Sequence, residues 1–114
     1  METAVQQGLF DNFDRVLDAA RDLFQQKSRA YGVANIAQSG EEGVLIRMSD
    51  KFARLRNKDI PGESIEDTLV DLINYSGILL LLRAGKWPGY RRGTASLGLE
   101  RALQTVLDWI GGRL

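Results

Sequence analysis

Apolar residues recur at helical spacing along almost the whole chain. Phe10, Phe13, Leu17, Ala20 and Phe24 fall three or four residues apart, which makes one stripe of an amphipathic helix. The spacing predicts a first helix from about Leu9 to Ser28, with residues 1–8 as a flexible N-terminus. The stretch Tyr31 to Gly40 then breaks the pattern with glycines and Asn35. A second helix is expected from about Glu41 to Asn57. Glu41 and Glu42 suit its positive N-terminal end, and Arg54 and Arg56 suit the other end. Its apolar face is Val44, Leu45, Met48, Phe52 and Leu55.

Residues 58–62 read as a turn. Ser64 with Asp67 three positions later resembles a capping box and opens a third helix, which runs to about Ala84 with Gly85 as its stop. A loop from Gly85 to Gly93 leads to a fourth helix, Ala95 to Ile110, whose stripe is Leu99, Leu103, Val106 and Ile110. No segment alternates with period two, so no sheet is expected. The predicted fold is all-α, a compact bundle of about four helices in a single domain spanning 9–114.

Composition narrows the chemistry. At 114 residues the chain is one domain's length. A domain this size buries only about two-thirds of its unfolded surface. Self-association would supplement the core, so a homo-oligomer is expected. The sequence has no cysteine and no histidine. That excludes disulfides, thiol nucleophiles, imidazole bases, Ser-His-Asp catalysis and nearly every zinc or copper site. A bound metal would be a hard, oxygen-liganded ion such as Mg²⁺ or Mn²⁺. Fifteen basic residues balance fifteen acidic ones, which argues against a dedicated nucleic-acid binder. The longest apolar run, Ile78 to Leu82, falls far short of the roughly 20 residues of a membrane span. The N-terminus is acidic and polar, unlike a signal peptide. The expectation is a soluble, cytoplasmic protein.

The third helix carries the most informative pattern. It is apolar almost all round, as buried helices are. Yet Asp67, Asp71 and Asn74 share one narrow stripe, with Glu63 and Glu66 near its start. The second helix offers a complementary stripe of Arg47, Asp50, Lys51 and Arg54. Two readings compete. In one, Arg47, Lys51 and Arg54 simply neutralise Asp67 and Asp71 between helices. In the other, carboxylates hold Mg²⁺ while guanidinium and ammonium groups grip phosphate oxygens. Phosphate chemistry without histidine needs that combination.

The same residues resemble a known family. Tyr31-Gly32 with Asn35, Gly40 and Gly43, Arg47-x-x-Asp50-Lys51-x-x-Arg54, and Glu63-Ser-Ile-Glu66-Asp67-x-x-x-Asp71 ending at Tyr75 look like the first type of nucleotide-modification-associated domain, often phage-encoded. The match runs from about Lys27 to Leu82. More distantly, the plan is similar to the all-α nucleotide pyrophosphohydrolases of the MazG and dimeric dUTPase type. Those are Mg²⁺-dependent helical bundles that split nucleoside triphosphates into monophosphate and pyrophosphate. Their later acid pair is partly matched by Asp67 and Asp71. Their earlier pair is not matched, because Arg47-x-x-Asp50-Lys51 holds one acid.

The resemblance implies a Mg²⁺-dependent nucleotide-binding protein of nucleotide metabolism. It would act either as a hydrolase of (d)NTP or as a non-catalytic module that binds a nucleotide or nucleotide-derived signal, or partners a modification enzyme. On the hydrolytic reading Asp67 and Asp71, with Glu66, ligate the metal, and Asp50 completes the shell or orients water. Arg47, Lys51 and Arg54 then stabilise phosphate charge. Asn74 would hold a carboxylate. Tyr31 and Asn35 would touch base or sugar, unless they serve as a core-edge aromatic and a capping side chain. The loop with Lys86, Trp87, Tyr90, Arg91 and Arg92 either stacks a base or connects helices, with Trp87 covering the bundle end. Trp109 reads as packing.

Overall fold

A computed structural model of the protein describes residues 1–57, 61–91 and Asp108. These residues form three α-helices and contain no strand. Helix α1 spans Ala4–Tyr31. It starts earlier than its apolar stripe suggests because Thr3 caps it. The Gln6 backbone N–H donates to Thr3 Oγ1 at 3.1 Å, and the Thr3 N–H donates to Gln6 Oε1 at 2.8 Å. This reciprocal pair satisfies two otherwise orphaned donors. Residues 4–8, expected to be flexible, are therefore helical.

Helix α2 spans Ala34–Arg56 and contains a kink at Gly40. The break expected between Tyr31 and Gly40 is thus two sharp turns with a helical stretch between them. Gly32 (φ 74°, ψ −168°) ends α1, and Gly40 (φ 64°, ψ −159°) interrupts α2. Both sit in backbone space that a Cβ disfavours, which is why glycine occupies them. Helix α3 spans Ile65–Arg83. Ser64 Oγ accepts from the Asp67 N–H at 3.1 Å, so the predicted cap is present.

Helix α3 packs on both α1 and α2. The buried core is Val44, Ile78, Leu82 and Trp87. Trp87 reaches it from the segment after α3. Its indole N–H donates to the Val33 carbonyl at 3.0 Å, and its ring meets Phe24 edge to face at 6.1 Å. Trp87 thus covers the end of the core, as the connector reading has it. Tyr90 lies over the Gly40 kink and donates its hydroxyl to Glu41 Oε2 at 2.7 Å.

Two expected apolar faces are only half used. On α1, Ala20 is buried and Phe24 half-buried, while Phe10, Phe13 and Leu17 are exposed. On α2, Val44 is buried, Met48 and Leu55 are half-buried, and Leu45 and Phe52 are exposed. Helix α3 likewise exposes part of its circumference, at Leu69, Ile73, Leu80 and Leu81. Apart from Asp108, the expected fourth helix lies outside the described residues, as do Trp109 and Arg92. Among the described residues no helix is long and apolar enough to cross a membrane.

Candidate functional site

Asp71 is the pivot of the polar stripe on α3. It is 5% exposed, in the second turn of a helix that is otherwise largely apolar. A carboxylate there needs cations. Two reach it from different helices. Lys27 Nζ of α1 lies 3.0 Å from Oδ1, and Lys51 Nζ of α2 lies 2.9 Å from Oδ2. Lys51 also holds Glu63 at 2.7 Å, and the Thr68 hydroxyl donates to Glu63. The network ties all three helices together. Burial by itself pushes the Asp71 carboxyl up, but the hydrogen bonds and charges of Lys51 and Lys27 outweigh it and hold the group below its ordinary value. For Lys51, burial works downward, and Glu63 and Asp71 more than offset it, so the ammonium stands above its ordinary value.

Lys27 is the member that the helical patterns miss. It sits three and seven residues after Phe24 and Ala20, on the same face of α1. A lone cation continuing an apolar stripe was its signal.

A pocket of about 310 Å³ opens beside this network. Phe24, Tyr75 and Trp87 supply aromatic surface, and Tyr31 stands exposed among the lining residues. Lys27, Arg47 and Asp71 supply charge. Asn74 lines it too, fixed by its Nδ2, which donates to the Ala20 carbonyl at 2.9 Å. Its Oδ1 remains an acceptor. Asn35 belongs to the short helical stretch between the two glycine turns, which brings it into the lining. Arg47 is half-buried, yet it makes no hydrogen bond or ion pair with any described residue.

The sequence candidates therefore divide. Tyr31, Asn35, Arg47, Asp71 and Asn74 gather around one pocket. Lys51 stands behind it, engaged by Asp71 and Glu63. Asp50, Glu66 and Asp67 are exposed and outside the lining, and half-buried Arg54 is outside it as well. Of the expected interhelical pairing, Lys51 with Asp71 is present. Arg47 and Arg54 take no part in it.

The donor set bears on a metal. Among the described residues Asp71 is the one carboxylate lining the pocket, and both its oxygens already receive ammonium groups. Asp67 and Glu66 do not join it, and the described residues hold no group of three or more potential ligands. These residues do not fit a Mg²⁺ cage built by protein carboxylates.

No protein-family model, curated protein or solved structure matches this chain.

Proposed function

We propose that this chain binds a nucleotide or a nucleotide-derived ligand in the pocket between its three helices, as a binding module of nucleotide metabolism. One observation carries the reading: half-buried Arg47 has no hydrogen-bond or ion-pair partner among the described residues, in a pocket walled by aromatic rings. A partly buried guanidinium favours an anion, and its planar fork matches phosphate oxygens. Lys27 is a second cation beside it. Tyr31 and Tyr75 give a base a surface to stack on. The resemblance of the Arg47 and Asp71 motifs to the nucleotide-modification-associated domain supports the same ligand class.

Mg²⁺ or Mn²⁺ enters this reading as a companion of the phosphates rather than as a fixed part of the protein. Hydrolysis of (d)NTP is the alternative, with Asp71 as the one carboxylate that the described residues bring to the pocket. The exposed apolar side chains on α1 and α3 support a homo-oligomer.

The test is a thermal-shift panel of nucleosides and nucleotides, with mass spectrometry of the same mixtures. A ligand at 100 times its dissociation constant adds about 2.7 kcal/mol of stability. A shift without new products is the expected result. Monophosphate plus pyrophosphate would establish the hydrolase instead. No shift with any nucleotide would remove the reading.

A further inference from the structure

We infer that the pocket selects a nucleotide bearing a single phosphate group over a di- or triphosphate. This rests on the nucleotide reading above and names its ligand class. Among the described residues three charged side chains line the pocket, Lys27, Arg47 and Asp71. Two cations against one carboxylate leave one positive charge. The charges behind them do not alter that balance, because Lys51 and Glu63 cancel. A phosphomonoester carries about −1.5 to −2 at pH 7. A phosphodiester, as in a cyclic nucleotide, carries less. Either is close to what the pocket can neutralise. Each further phosphate adds negative charge for which the described lining residues hold no cation, so a bound metal would have to offset it, and uncompensated charge in a partly desolvated site is costly.

Asp71 sharpens the discrimination. Both its oxygens are fixed by ammonium groups from two helices, so the carboxylate cannot turn away from an incoming anion. It is a standing negative wall on one side of the phosphate position. Size points the same way. A volume of about 310 Å³ is at the lower limit of ligand pockets, roughly 300 Å³. It suits one nucleoside with a compact anionic group. Arg47 can grip one phosphate bidentately, and Lys27 can reach it as a point charge while remaining near Asp71.

Isothermal titration calorimetry on the full chain tests this. The ligands are nucleosides of the four common bases, their 5′-monophosphates, 3′,5′-cyclic monophosphates and 5′-triphosphates, each with EDTA and with Mg²⁺. A monophosphate or cyclic monophosphate should bind at least about tenfold tighter than both the parent nucleoside and the triphosphate. Preference between those two reports whether a dianion or a monoanion fits, and either supports the inference. Arg47→Ala should weaken the favoured ligand by about 10- to 100-fold. Arg47→Lys should weaken it by a smaller factor, and that variant serves if Arg47→Ala does not fold. Arg29→Ala removes the same charge from an exposed position outside the pocket and should change nothing. A triphosphate that outbinds the monophosphate, with or without Mg²⁺, overturns the inference and leaves the nucleotide reading intact. So does a nucleoside that binds as tightly as its monophosphate. Failure of every ligand removes both.

Discussion

Lys51 Nζ lies 2.9 Å from Asp71 Oδ2 and 2.7 Å from Glu63 Oε1, so one half-buried ammonium from α2 joins a carboxylate just before α3 to one in its interior. Lys27 completes the arrangement from α1. Removing Asp71 leaves Lys51 paired with Glu63 alone and Lys27 without its partner. Breaking a buried pair costs about 3–5 kcal/mol, and Lys27 is half-exposed, which lowers the figure. Asp71→Asn should therefore destabilise the fold by about 2–3 kcal/mol in denaturant unfolding. Asp67→Asn, one turn earlier and exposed, should cost about 1 kcal/mol or less, through the favourable charge at the helix N-terminus. Equal losses at the two positions would contradict the placement of Asp71 as the pivot.

The same network sets a pH dependence. The Asp71 carboxyl is depressed in the folded chain, so the stability it contributes is present above the unfolded carboxyl value of about 4 and is lost as pH falls through the lower folded value. The Lys51 ammonium is raised, so its contribution is present below the unfolded value of about 10.4 and is lost as pH rises through the higher folded value. Unfolding free energy should be flat near neutrality and fall at both extremes. Asp71→Asn should flatten the acid limb and, because Asp71 also helps hold the Lys51 ammonium up, weaken the alkaline limb as well. An unchanged acid limb in that variant would mean that other carboxyls govern acid unfolding.

Much of this arrangement was legible in sequence. The cap at Ser64, the stop near Gly85 and the all-helical class follow from local chemistry that tertiary packing does not overrule. The pairing of Lys51 with Asp71 follows from two polar stripes on adjacent helices. Periodicity could not show which part of a stripe meets a partner. Phe10 and Ala20 belong to one stripe on α1, yet only Ala20 meets α3 closely enough to be buried. Nor could spacing separate Asp67 from Asp71. They share a face, but depth along α3 exposes one and buries the other. Lys27 stands out locally only as a lone cation on the apolar stripe of α1; its partner lies 44 positions away, a separation that no local pattern encodes.

Gly40 should be intolerant of a side chain for two separable reasons. Its φ of 64° disfavours any Cβ, and a Cβ built there would approach Tyr90 Cε1 at 3.0 Å. Backbone strain of this kind costs about 1–3 kcal/mol. Gly32 has a similar φ of 74° but open space around it. Gly40→Ala should thus destabilise more than Gly32→Ala in thermal melts. In the Tyr90→Ala background the excess should shrink, because the ring has gone while the strain persists. If the two glycine variants lose equal stability, the Tyr90 ring does not press on the kink.

The exposed apolar side chains of α1 make the oligomer proposal specific. Phe13 is 58% exposed and Phe10 42%, on the face whose other end carries buried Ala20. Replacing Phe13 by Glu removes little packing within the chain, so any large effect must come from association. The wild-type protein should sediment as a dimer or larger species, with a melting temperature that rises with protein concentration. Phe13→Glu should sediment as a monomer, with a melting temperature independent of concentration. Its far-ultraviolet circular dichroism should remain helical, since α1 keeps its Thr3 cap and its junction with α3. A wild-type protein that stays monomeric at high concentration would show that α1 covers no second copy. Those side chains would then need a different partner, because contiguous exposed apolar surface of this kind is rare on isolated domains.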